Sequence, residues 1–189
     1  MHIPTRETVA RAAFTASFLA FTAWSSPSAA QGATPSASGG TLNDPTIAAI
    51  FDAANTWDIE TGGLAADRGR TKDVRAFGAM LVRDHHAVRQ QGRDLLKKLK
   101  VHPTPPKDFA MAKDHEAAMK SLRKLHGAAF DRAFLAHEVA YHKAVIDAVT
   151  TTLLPAIQNA ELKDLVTKVA PAFQAHMAKA QSLLDAYPK

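Results

Sequence analysis

The stretch that decides the fold is TKDVRAFGAMLVRDHHAVRQQGRDLLKKLKV, residues 71–101. Apolar or small residues recur in it at Val74, Gly78, Leu81, Val88, Gly92, Leu95 and Leu99. The steps alternate between four and three, and the gap in the series falls at His85. Such a series is the buried stripe of a packed helix. A titratable imidazole therefore stands where a bundle helix ordinarily carries Leu. Thr71 is positioned to cap the helix, and Pro103, Pro105 and Pro106 end it.

Working outward, the same pattern returns twice. Leu135, Val139, His142, Ile146, Val149 and Leu153 form one stripe of alternating steps, with Phe130, Phe134, Tyr141 and Val145 as a second apolar row. Leu162, Val166, Val169, Phe173, His176, Ala180 and Leu183 form another. Each stripe again contains a single histidine. Upstream, Asp44-Pro45 reads as a cap followed by proline at the first helical position, opening a helix to about Arg68. Its expected inward residues are Ile50, Ala53 or Ala54, Trp57, Leu64 and one charged member, Glu60. A shorter helix, with Thr104 or Asp108 as cap, is expected before the break at His126-Gly127. No stretch shows the alternation of a strand. The expected architecture is all-α: a four-helix bundle with one additional shorter helix. The short links at Gly69-Arg70 and around Pro155 to Asn159 predict that helix one pairs antiparallel with helix two, and helix four with helix five.

Composition agrees with a soluble helical domain. The chain has 189 residues, 47% of them apolar and 22% charged, with 9 Gly and 7% aromatics. The net charge of +5 is spread along the chain rather than clustered with aromatics, which argues against nucleic-acid binding. With no cysteine, disulfides, zinc-thiolate sites, thiol catalysis and a lipid-anchored N-terminal Cys are excluded. Residues 1–30 read as a secretory signal peptide: Arg6 and Arg11, an apolar run from Ala12 to Trp24 too short to span a bilayer, then Ser28-Ala29-Ala30 before a cleavage expected at Gln31. Residues 31–43 read as a Gly/Ser/Ala/Pro linker with little to bury, and 44–189 as the bundle. No other stretch is long and apolar enough for a transmembrane segment.

The histidines are the candidate site. At about 1.5 Å of rise per residue, Glu60 and His85 lie within roughly 7 Å of one height above their shared turn, His142 and His176 lie similarly far from theirs, and all four fall near mid-bundle. Neutral imidazoles with a carboxylate in a bundle interior are the usual ingredients of a metal site. Glu60, His85, His142 and His176 are thus the expected ligands of a single Zn, Cu or Fe ion, with Asp84, Glu138 or Asp131 orienting the rings. His86, His102, His115, His126 and His137 read as surface residues. A di-iron centre of the bundle type requires Glu-x-x-His pairs, and none occurs; Glu138 is followed at the third place by Tyr141. Nor does any Ser or Thr sit beside a His–Asp pair as a nucleophile would. The competing reading is a non-enzymatic structural or interaction protein whose buried histidines set only packing and register.

Several segments carry a family resemblance. Glu60 with Leu64-Ala65, Val74 and Phe77, Met80 with Asp84-His85, the run GAAFDRAF at 127–134, His142, and Ala170-Pro171 with His176 and Ala180 together resemble the DUF4142 family. The resemblance spans about residues 43–187. It implies a ferritin-like helical bundle exported to the periplasm of a Gram-negative bacterium, and it implies no reaction.

Overall fold

In the computed structural model, the structure describes residues 42–187, and among these every regular element is helical. The expected signal peptide and most of the expected linker lie outside the described residues. The helices are α1 (Asp44–Arg68), α2 (Lys72–Leu99), α3 (Ala110–Lys124), α4 (Gly127–Ala148), the single turn α5 (Leu154–Ala156) and α6 (Ala160–Asp185). A π-helical turn, Val149–Leu153, joins α4 to α5. Thr150 and Thr151 there return their hydroxyls to the carbonyls of Ile146 and Asp147, competing with the regular ladder just before Pro155, which has no N–H to give.

Caps define the starts. Thr71 accepts from the Val74 N–H, as expected, and Asn159 accepts from the Leu162 N–H. α1 departs from expectation by one residue. Its cap is Asn43, whose side chain accepts from the Thr46 N–H at 3.0 Å. Asp44 is thereby freed to accept from the backbone N–H groups of Gln158 and Asn159, at 2.9 and 2.8 Å. Neither Thr104 nor Asp108 caps α3; Phe109 holds the cap position and donates no side-chain bond to it, its ring lying instead 5.2 Å from that of Trp57.

These contacts fix the topology. Asp44 ties the start of α1 to the link before α6, and the Thr104 N–H bonds the Pro45 carbonyl, so the end of α2 is there too. At the opposite end the Asp131 carboxylate accepts from the N–H groups of Arg70 and Thr71 and from the Tyr187 hydroxyl, gathering the α1–α2 turn, the start of α4 and the end of α6. The four long helices therefore form antiparallel pairs α1/α2 and α4/α6, also packed as α2/α6 and α1/α4. The chain must cross the whole bundle between α2 and α4, and α3 makes that crossing along the outside of α1. Trp57 meets Phe109 and His115, and Arg68 donates to the carbonyls of Arg123 and Leu125. One long crossover is the connectivity of ferritin-like bundles.

The α1–α2 pair packs closely because Gly62 faces Gly78. A Cβ on Gly78 would lie 2.5 Å from the Gly62 carbonyl oxygen. Around this pair the interior divides into two apolar clusters. One holds Phe51, Val149, Leu153, Val166 and Phe173; the other holds Phe77, Leu81, Phe130, Phe134 and Leu135. Between them lies a buried polar layer drawn from all four long helices: Asn55, Asp58 and Thr61, then His85, then Glu138 and His142, then His176.

Candidate metal centre

The polar layer is where the three inward histidines meet. The His85, His142 and His176 ring centroids are 5.0, 5.4 and 5.7 Å apart, and all three side chains are buried. His85 also stacks face to face on Phe173 at 5.4 Å, which fixes its ring plane.

Each imidazole has one nitrogen committed to an acceptor. His85 Nδ1 lies 2.9 Å from Asn55 Oδ1; the Asn55 amide nitrogen donates to the Phe51 carbonyl, so the oxygen must face the ring. His142 Nδ1 donates to the Glu138 carbonyl at 3.0 Å. His176 Nε2 donates to Asp84 Oδ2 at 3.1 Å. A neutral imidazole with one N–H presents a lone pair on its other nitrogen. Those remaining atoms, His85 Nε2, His142 Nε2 and His176 Nδ1, turn toward one another. His85 Nε2 and His176 Nδ1 are 3.2 Å apart. Two lone pairs at that distance repel unless a proton or a cation stands between them. Nitrogens bound tetrahedrally to one zinc at 2.0–2.1 Å are about 3.3 Å apart, so the spacing fits a shared ion.

Asp58 supplies the carboxylate. Its oxygens lie 3.5 Å from His85 Nε2 and 3.8 Å from His142 Nε2. Ligand atoms of His85, His142 and His176 lie within 4.8 Å of one another, and Asp58, Glu138 and His142 form a second such group sharing His142. Four fully buried atoms in this layer have no hydrogen-bond partner: Asp58 Oδ1, both Glu138 carboxylate oxygens and His142 Nε2. Each orphaned polar atom costs about 1–3 kcal/mol. An apolar layer would avoid that cost, so the donor set suits a bound cation.

Burial and mutual charge polarise the cluster. Burial lowers His85 to about 3, helped by the neighbouring His142 and His176. Burial also pulls His142 down, but the charges of Asp58 and Glu138 and the bond to the Glu138 carbonyl outweigh it and raise the group to about 9. Burial raises Asp58 well above the ordinary carboxylate range, whereas Glu138 is lowered because His142 and His137 overcome its own desolvation. The histidines are therefore driven apart: beside Asp58 and Glu138, His142 holds its proton more firmly than a free imidazole, and buried His85 holds one less firmly.

Glu60 is placed differently from expectation. It stands on the outer face of α1, half-exposed, with its carboxylate 2.7 Å from His115 Nε2. The reason is that α3 covers α1 on that side, so Trp57 and Glu60 face α3 and not the bundle interior. The inward stripe of α1 is Ile47, Phe51, Asn55, Asp58, Thr61 and Ala65. The sequence contained that stripe in its steps of three and four, and the large Trp57 and Leu64 drew attention to the wrong face. His115 is correspondingly nearly buried, and His137 is half-buried against Tyr141. Of the expected orienting carboxylates, Asp84 bonds His176 and Glu138 contacts His142, whereas Asp131 serves the far end of the bundle.

Among the described residues no helix is long and apolar enough to cross a membrane. A solved structure with this fold is the crystal structure of a DUF305 fragment from Deinococcus radiodurans, similar at a TM-score of 0.66 and 14% identity over 75% of this chain and 94% of that one. No curated protein matches the chain. Residues 26–183 match the model of DUF4142, a domain of unknown function, and the chain belongs to that family.

Proposed function

We propose that the protein binds a single first-row transition-metal ion, Zn, Cu or Fe, in the middle of the bundle. His85 Nε2, His142 Nε2 and His176 Nδ1 are the three ligands, and Asp58, where Glu60 was expected as a fourth ligand, is the carboxylate beside the ion that balances its charge. One observation carries the reading: three imidazoles on three helices each spend one nitrogen on an acceptor and converge with the other. That outer bond is what orients a metal-ligating histidine and fixes its tautomer. Imidazole is a ligand common to zinc, copper and iron, and the absence of thiolates removes the strongest competing preference. The leader-like pattern of residues 1–30 supports a periplasmic site of action, which the intact mass of protein from a periplasmic extract tests: a chain starting near Gln31 is expected, and a retained Met1 overturns the assignment.

The metal reading is tested on untagged protein by metal analysis and by thermal melts with added Zn²⁺ or Cu²⁺. Metal is expected to raise the melting temperature of wild type and not of His142→Ala. If metal changes neither, the histidines serve packing and register alone, and His142→Ala only lowers stability.

A further inference from the structure

A cavity of about 430 Å³ opens beside the polar layer, between α1 and α4. Its walls are apolar: Ile50, Phe51, Val145, Val149, Leu153 and Phe173. The α2–α3 connection and the first residues of α3, from Thr104 to Met111, border its outer side. Asp58, His85 and His142 line its buried end. The partnerless atoms Asp58 Oδ1 and His142 Nε2 belong to two of those three residues. The size is that of a small-molecule site, and apolar walls with a few convergent polar groups are the usual character of one.

We propose that this cavity binds an elongated aliphatic molecule ending in a hydroxyl group, with the hydroxyl at Asp58 and the metal and the chain along Ile50, Val145 and Val149. The proposal rests on the metal reading above. Three protein nitrogens leave an ion with a position to fill, and the cavity is the space that reaches it. Charge selects the head group. A divalent ion is balanced by the two buried carboxylates, Asp58 and Glu138, so a neutral head keeps the layer neutral. A carboxylate head would leave an uncompensated buried negative charge, and an ammonium head a positive one facing the ion. A hydroxyl also has both functions the site needs: its oxygen has lone pairs for the ion, and its O–H donates to Asp58 Oδ1. Burial of the chain against apolar walls supplies the affinity.

The test uses the full chain loaded with Zn²⁺ and the probes 1-octanol, octanoate and octylammonium. Binding is followed by calorimetry and by the fluorescence of Trp57, which contacts the cavity through Phe109. Octanol is expected to bind the loaded protein at least about tenfold more tightly than the other two probes and than it binds metal-free protein. Two variants fill the cavity from opposite walls, Ala54→Phe and Val145→Trp. Both are expected to keep the zinc-induced rise in melting temperature and to lose octanol. Zinc binding without octanol binding, or undiminished octanol binding in both filled variants, overturns the cavity proposal and leaves the metal reading standing. Tighter binding of octanoate or octylammonium overturns the head-group assignment. Absence of a zinc effect in wild type overturns the metal reading itself, and the proposal with it.

Discussion

His85 Nε2 and His176 Nδ1 face each other at 3.2 Å while the opposite nitrogen of each ring is already held, by Asn55 and by Asp84. The inner pair cannot both be donors, and burial lowers both groups, which disfavours a proton between them. The arrangement is relieved when both lone pairs point at one cation. Asp84 is the most accessible lever on it, since its side chain is 31% exposed and its removal leaves no large cavity. Asp84→Ala is expected to weaken metal binding about 10–100-fold, the usual consequence of removing the partner that orients a ligating histidine. Competition against a chelator measures this. Unchanged affinity would mean that the outer bond has no part in holding an ion.

Protons compete with the metal at His142. That group is raised to about 9, above its ordinary 6.5, because Asp58 and Glu138 outweigh the burial that would lower it. A group raised on folding stabilises the fold below its unfolded value, and the contribution is lost as pH rises through the folded value. The metal-free protein is therefore expected to melt at progressively lower temperature between about pH 6.5 and 9. Metal must displace the His142 proton, so zinc affinity should rise by about tenfold per pH unit over the same window, with one proton released. His85, lowered to about 3 by burial, is already neutral there and adds nothing to that slope. Calorimetry at two pH values in buffers of different ionisation enthalpy reads both the slope and the proton. A flat affinity would remove His142 from the ligand set.

The glycine contact between α1 and α2 sets the distance across which Asp58 meets His85. A Cβ on Gly78 would lie 2.5 Å from the Gly62 oxygen and 2.7 Å from the Ala66 nitrogen, both backbone atoms that cannot rotate away. Gly78→Ala is expected to destabilise the protein by about 1–3 kcal/mol in urea unfolding. It should also reduce the zinc-induced stabilisation, because the helices must separate. Gly63→Ala is the control: its nearest neighbour is Val82 Cγ2 at 4.0 Å, and removing a mid-helix glycine there is expected to be neutral or stabilising. Equal behaviour of the two variants would show that the helix approach does not depend on the glycine pair.

What the sequence disclosed depended on how many faces of a helix are covered. α2 and α6 bury one stripe each, and most residues expected inward, including His85 and His176, are buried; Leu95, Leu99 and Leu183 are only partly so, and Leu96 takes the buried place on α2. α4 was legible through Phe130, Phe134, Leu135 and His142, but Glu138 was read only as an accessory and is fully buried in the polar layer. A charged residue between apolar neighbours carries no signal of its burial until its partners on other helices are known. α1 misled because α3 packs on its outside. Apolar residues then occupy two faces, periodicity no longer distinguishes the interior, and bulk favoured Trp57 over the smaller Asn55 and Asp58. The path of α3 was not legible at all, since it is set by contacts between residues about fifty apart in sequence, such as Glu60 with His115.

A paired substitution distinguishes the two faces of α1. Asp58 and Glu60 are two residues apart on one helix and so point to different sides of it. Asp58 is buried among the histidines, whereas Glu60 is half-exposed against His115. Asp58→Ala removes the carboxylate nearest His85 Nε2 and His142 Nε2, and with it a negative charge that balances the ion. Zinc affinity is expected to fall about 10–100-fold, and the thermal shift produced by zinc should shrink in parallel. Metal-free Asp58→Ala need not be unstable, because it also removes a buried oxygen that has no partner. Glu60→Ala breaks a partly exposed pair with His115, a contact of the kind that contributes about 0–1 kcal/mol. Its zinc affinity should equal that of wild type. Thermal melts of both variants with and without zinc decide between the two positions. A loss of zinc response in Glu60→Ala with an intact response in Asp58→Ala would reverse the assignment of the carboxylate and require α1 to turn its other face to the ion.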